Sequence, residues 1–135
     1  MSENLLSYLF VYGTLLKDVD NEMSSFLHSH AVLKGKGYFY GKLYRVSWYP
    51  GAVISDNTSE KVFGMVYKIE NPKYVFRVLD DYEGIGALYP KPHLYKRKLI
   101  DTFLNNGTQI KTWVYLYNQS ITDLHQIVSG DFLEN

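Results

Sequence analysis

The chain has 135 residues, 46% of them hydrophobic and 21% charged. That predicts one domain over residues 1–135 with about two-thirds of its surface buried on folding, and excludes a disordered chain. Fourteen basic residues balance fourteen acidic ones, without the basic excess of a nucleic-acid binder, and the lack of cysteine excludes disulfide scaffolds, thiolate metal sites and cysteine nucleophiles.

Thirteen tyrosines stand out. Tyrosine has an apolar body and a polar tip, which suits half-buried strand faces and pocket walls alike. Leu5 to Leu16 is mostly apolar, but Glu3 precedes it, Gly13 interrupts it and the first Lys or Arg is Lys17. This is not the charge pattern of a signal peptide. No run approaches the ~18 apolar residues of a membrane span. A cytoplasmic protein without a membrane partner is the expectation.

In chain order, Ser7 to Tyr12 reads as a strand ending at Gly13. Asp18 to His28 has weak helical spacing, with Asp18 or Asp20 as cap. Gly37 to Val46 alternates, Tyr38, Tyr40 and Tyr44 against Phe39 and Leu43. Tyr49-Pro50-Gly51 reads as a turn, Ala52 to Ser55 as a short strand and Asp56 to Glu60 as a polar loop. Val62 to Ile69 reads as a strand with Phe63, Met65, Tyr67 and Ile69 on one face.

Asn71-Pro72 predicts a helix start, with Asn as N-cap and Pro at N1. Val75, Val78, Leu79 and Tyr82 follow as an apolar stripe, and Gly84 supplies the stop. After a loop over Ile85 to His93, Leu94 to Leu104 and Gln109 to Tyr117 form a hairpin around Asn105-Asn106-Gly107-Thr108. The second strand is apolar on both faces. The class is therefore α+β, six mostly antiparallel strands in a closed or strongly curled sheet with two helices covering part of it.

Two segments offer chemistry. Tyr12-Gly13-Thr14-Leu15 follows the first strand, where a glycine frees backbone N–H groups to face an anion. The alternative is an ordinary strand-ending turn. Leu79-Asp80-Asp81-Tyr82-Glu83-Gly84 crowds three carboxylates at a helix C-terminus, the unfavourable end for anions. Burial of Glu83 would raise its pKa and fit it for proton transfer. The alternative is a solvated helix end paired with Arg77, Arg97 or Lys98. The basic stretch Lys91 to Lys98 reads as a solvated strand and loop, with a protein-interaction face as the rival. The histidines His28, His30, His93 and His125 lack zinc-site spacing, and no phosphate loop or dinucleotide pattern occurs, so neither metal nor cofactor is implied.

These pieces occur in an order that resembles the gamma-glutamylcyclotransferase-like superfamily, nearest its gamma-glutamylamine cyclotransferase and avirulence-induced-gene-like branch. The matching segments are Phe10 to Leu15, Gly41 to Tyr44, Tyr49 to Gly51, Val62 to Tyr67, Leu79 to Gly84, Tyr95 to Arg97, Val114 to Tyr117 and Ser129 to Asp131. Met65 and Phe132 depart from the residues common in relatives, and Tyr89-Pro90-Lys91 competes with Tyr95-Lys96-Arg97 for one family element.

The resemblance implies a small, mostly antiparallel curled β-barrel and an enzyme that cyclises a small γ-glutamyl substrate to 5-oxoproline, with Glu83 as acid/base. Tyr12, Gly13, Thr14, Leu15 and Tyr115 would bind substrate. Tyr82, Tyr89, Tyr95 and Arg97 are further candidates. The rivals are a non-catalytic binding module and a same-fold enzyme for a substrate that is not γ-glutamyl. Specificity is expected in the loops Asp56–Glu60 and Ile85–His93. The leaving amine and oligomeric state stay open, with a monomer the simplest arrangement.

Overall fold

The computed structural model describes residues 7–13, 22–85 and 91–132. Thr14, Leu15, Tyr89, Asp18 and Asp20 lie outside them. The described residues hold seven strands and two helices. They are β1 (Tyr8–Val11), α1 (Glu22–Ser29), β2 (Ala31–Arg45), β3 (Pro50–Ile54), β4 (Lys61–Ile69), α2 (Pro72–Tyr82), β5 (Tyr95–Leu104), β6 (Gln109–Tyr117) and β7 (His125–Gln126). The two-residue β7 is a strand beyond the six predicted.

Strands β2, β4, β1, β6 and β5 pair in that order, and β5 returns to β2, closing a five-stranded barrel. All these pairs are antiparallel except β1 with β6. The closing seam is short, Gly37 opposite Leu104 and Tyr38 opposite Phe103, whereas β5 and β6 align from Tyr95–Tyr117 to Phe103–Gln109. β3 and β7 attach to β2 outside the ring.

Alternation along each strand splits the apolar residues into two clusters. Phe10, Phe39, Leu43, Val62, Val66, Val114 and Leu116 fill the barrel, where the Thr102 and Thr112 hydroxyls satisfy each other at 2.7 Å. The other face carries Leu9, Tyr67, Ile69, Tyr95, Tyr115 and Tyr117, and α1 and α2 cover it with Leu27, Val75, Phe76 and Leu79. The predicted both-face burial of β6 is this division.

Three local expectations are corrected. β2 begins at Ala31, six residues before the predicted start, because its exposed first stretch is held by pairing with β4 across a bulge at Leu33–Gly35. Tyr49-Pro50-Gly51 is no simple turn: Pro50 and Gly51 open β3, opposite Arg45 and Tyr44. Proline is tolerated as the first residue of an edge strand, where no ladder N–H is needed. Asn71 precedes α2 as predicted but is left-handed (φ 54°) and makes no side-chain cap, so Pro72 carries the start. Phe63 is also more exposed than its apolar row implied, while Val62 and Val66 on the opposite side of β4 are fully buried.

Candidate active site

Four local devices converge at one end of the barrel. The first is the exit of β1. Tyr12 packs edge-on against Phe39, with ring centroids 6.4 Å apart, and its hydroxyl accepts from the Ala52 N–H at 3.1 Å while donating to the Tyr115 carbonyl. One side chain thus ties β1, β3 and β6 together. Gly13 follows against the Pro50 ring, where an added Cβ would lie 2.9 Å from Pro50 Cγ, closer than real Cβ contacts allow. The close approach requires the glycine.

The second device is the end of α2. Gly84 is left-handed (φ 75°). The Ile85 N–H donates to the Asp80 carbonyl at 2.9 Å and the Gly84 N–H to the Asp81 carbonyl at 3.1 Å, the paired bonds of a Schellman cap. Glu83 is the last residue before the reversal (φ −82°, ψ 2°), so main-chain geometry sets the direction of its side chain.

The third device is the start of β5, where the Tyr95 hydroxyl donates to the Pro50 carbonyl. The fourth is Tyr115 on β6, whose hydroxyl donates to Asp80 Oδ1 at 2.6 Å.

Together they wall a cavity of about 360 Å³. Its lining includes Tyr12, Gly13, Tyr82, Glu83, Tyr95 and Tyr115. Those are the described members of the predicted set apart from Arg97. Glu83 is the only Asp, Glu, Lys, Arg or His among its described lining residues. Burial, with the Asp80 charge adding to it, pushes the Glu83 carboxyl from the usual 4.5 up to about 7. Burial also pushes the Tyr12, Tyr95 and Tyr115 hydroxyls up, so all three stay protonated hydrogen-bond donors.

Arg97 is placed elsewhere: it is not a lining residue, and its guanidinium grips Asp80 through Nε–Oδ1 at 2.8 Å and Nη2–Oδ2 at 3.1 Å. The acidic helix end therefore divides. Asp80 is the paired carboxylate, while Glu83 faces the cavity. The expectation for Asp56–Glu60 is also corrected, since none of these residues lines the cavity and Ser59 and Glu60 border a separate, smaller cleft instead.

Sequence reasoning missed Trp48, Tyr49 and Leu94 as lining residues. Trp48 is 69% exposed and meets the Tyr49 ring edge-on at 5.1 Å. The signal lay in adjacent aromatic residues before Pro50, in a segment the sequence reads only as a turn. Of the strand tyrosines, Tyr38, Tyr40, Tyr44, Tyr67 and Tyr117 do not line the cavity. The tyrosine excess thus splits into strand packing and a smaller pocket group.

No group of His, Asp and Glu among the described residues is arranged to hold a metal ion, and no helix there is long and apolar enough to cross a membrane. At this end of the barrel the described residues thus form a tyrosine-walled cavity with one half-buried carboxyl, Glu83, in its lining.

Comparison with known proteins gives the fold a family. Residues 9–134 match the family model described as gamma-glutamyl cyclotransferase, AIG2-like. The chain belongs to that family. The gamma-glutamylcyclotransferase family protein YtfP of Escherichia coli is 30% identical over 126 residues, covering 93% of this chain and 96% of the relative. The solution structure of ytfP superposes with a TM-score of 0.64 at 29% identity, over 94% of this chain and 96% of that one. An aig2-like protein from Mus musculus shares the fold at TM-score 0.68 and 23% identity, over 89% of this chain and 84% of its own. YkqA of Bacillus subtilis shares it at TM-score 0.69 and 23% identity, over 95% of this chain but 40% of its own length.

Proposed function

We propose that this chain is a cytoplasmic enzyme that cyclises a γ-glutamyl amine, or a related γ-glutamyl compound, to 5-oxoproline with release of the amine. The observation that carries the reading is the half-buried Glu83 carboxyl facing a cavity beside the Tyr12-Gly13 turn, with its pKa raised to about 7. Family membership supports the same chemistry.

The substrate holds its own nucleophile and electrophile on one chain, so fixing their geometry supplies much of the rate. Glu83 accepts a proton from the α-ammonium. The freed amine attacks the γ-carbonyl carbon, and a five-membered tetrahedral adduct forms. Glu83 then gives that proton to the leaving nitrogen as the old C–N bond breaks, takes the surplus proton of the new ring nitrogen, and passes it to the released amine, which departs as its ammonium ion. A carboxyl titrating near neutrality is suited to these transfers. The Gly13 N–H and those of Thr14 and Leu15 are the proposed donors to the substrate carboxylate or the oxyanion. The Tyr12, Tyr95 and Tyr115 rings close off water. The step itself calls for no metal, cofactor or covalent intermediate.

The test supplies γ-glutamyl-ε-lysine, several γ-glutamyl amino acids and glutathione, and follows 5-oxoproline by mass spectrometry. Product from at least one, abolished in Glu83→Gln, is the expected result. No product from any would leave a binding module or an enzyme for a different substrate. Equal product from Glu83→Gln would remove Glu83 from the chemistry.

A further inference from the structure

Asp80, in the last turn of α2, and Glu83, the residue that caps it, stand three apart and so on one side of the helix end. Two neighbouring carboxyls near a helix C-terminus compete for one proton, and something must decide which holds it. The surroundings treat them differently. Asp80 takes three donors: the forked Arg97 guanidinium at 2.8 and 3.1 Å and the Tyr115 hydroxyl at 2.6 Å. Arg97 is itself fixed, its guanidinium carbon 4.4 Å from the centre of the Phe76 ring and 4.7 Å from that of Trp113. Forked hydrogen bonds and stacking on two aromatic rings are what arginine does and lysine does not. Asp80 and Arg97 side chains are only 23% and 25% exposed, so water screens the pair weakly. No ion pair among the described residues includes Glu83.

We infer that Asp80 and Arg97 act as a positioning pair behind the site, the charge of Asp80, partly offset by its forked Arg97 partner, setting how tightly Glu83 holds its proton. Asp80 presents a fixed negative charge that favours the protonated form of Glu83, and Arg97 limits that charge. Among the described residues, Tyr12, Tyr95 and Tyr115 also act on Glu83 and are held neutral by burial, Tyr49 and Tyr82 line the same cavity, and Asp81 lies two positions before Glu83 on the exposed side of the helix end. The role of Glu83 in turnover rests on the proposed function; the assignment of the proton does not.

A purely structural brace joining α2 to β5 would lose stability in either partner's variant and move the Glu83 titration in neither direction selectively. The inferred pair gives opposite signs. In Asp80→Asn, Arg97 keeps its stacking and loses its counter-charge, so Glu83 should bind its proton about tenfold more weakly. In Arg97→Gln, the Asp80 charge is uncompensated, and Glu83 should bind its proton more tightly. Arg97→Lys, which keeps the charge without the fork, should fall between Arg97→Gln and wild type.

The experiment is a carbon-detected NMR titration of the Glu83 and Asp80 carboxyls in the substrate-free protein, with far-UV circular dichroism confirming folded variants. Opposite displacement of the Glu83 midpoint in Asp80→Asn and Arg97→Gln is the expected result. Displacement in the same direction, or an unmoved midpoint in folded variants, overturns the inference. If one variant fails to fold, Arg97→Lys decides: a raised Glu83 midpoint supports the pair and an unchanged one refutes it. The titration needs no turnover, so failure of the cyclisation assay leaves it readable. Where turnover is present, the acid limb of kcat/KM should follow the NMR midpoint variant by variant.

Discussion

The two faces of the sheet use the same strands for opposite ends. Inside the barrel, Phe10, Phe39, Val62, Val114 and Leu116 are apolar throughout, and among the described residues only Tyr8 and Tyr12 bring phenolic hydroxyls to that cluster. Under the helices, Tyr67, Tyr95, Tyr115 and Tyr117 place hydroxyls among apolar rings, and this cluster borders the Glu83 cavity. A face filled with Phe, Val and Leu side chains can only stabilise. A face built from tyrosine buries comparable area and still presents donors, so it can hold a pocket. The lesson is that burial and reactivity are separated here by strand parity: Val114 and Tyr115 are adjacent in sequence and belong to different worlds.

The sharpest way to break this comparison is Glu83→Gln. It should fold normally and lower 5-oxoproline release by about 100-fold or more, since general acid–base catalysis contributes on that scale. Next come core truncations. Phe39→Ala in the barrel should cost about 3–5 kcal/mol in a denaturant melt and leave the Glu83 NMR midpoint in place. Leu79→Ala under α2 should cost about 2–5 kcal/mol and also disturb that midpoint, because it loosens the helix that carries Glu83. Equal behaviour of the two variants would erase the distinction between the faces.

The pH dependence sharpens it further. Glu83 has a folded pKa raised from 4.5 to about 7, so its favourable contribution is fully present below 4.5 and is lost as pH rises through about 7. Glu83→Gln should therefore match wild type in acid and exceed it above pH 7 by on the order of 3 kcal/mol, checked by urea melts at pH 4 and pH 8. Activity runs the other way. kcat/KM should rise with pH towards a plateau as Glu83 loses its proton, with a midpoint near 7. Smallest is Tyr12→Phe. Removing the hydroxyl shared by the Ala52 N–H and the Tyr115 carbonyl should cost about 1–2 kcal/mol.

The stripe Val75, Val78, Leu79, Tyr82 and the stop at Gly84 made α2 legible, because helix periodicity and capping are local physics. β6 was read with its observed bounds, since its hairpin turn and strand-forming residues sit within a few positions of each other. What escaped was set by distant partners. The first residues of β2, including exposed Val32 and Leu33, are strand because β4 pairs with them, and Pro50 begins β3 because Arg45 lies opposite. At the site, Glu83, Tyr12, Tyr95 and Tyr115 were legible through motif order. Trp48 and Tyr49 were not, since nothing local says which way a loop folds over a cavity. Arg97 was read both as a site candidate and as a partner for the acidic helix end, and the fold gives the second, with Arg97 opposite Tyr115 in the sheet and paired with Asp80.

The reversal at Gly84 makes the position of Glu83 a matter of handedness. A Cβ added at Gly84 would meet nothing within 4 Å, so crowding does not exclude a side chain there; the positive φ does. L-alanine would have to sit in a conformation its chirality disfavours, whereas D-alanine is the mirror case and adopts it readily. A protein assembled by chemical ligation with D-alanine at this position should keep the cap and the direction of Glu83, and gain stability by narrowing the unfolded ensemble. The L-alanine protein, identical in composition, should lose both. A single stereocentre would then decide which way the Glu83 side chain points.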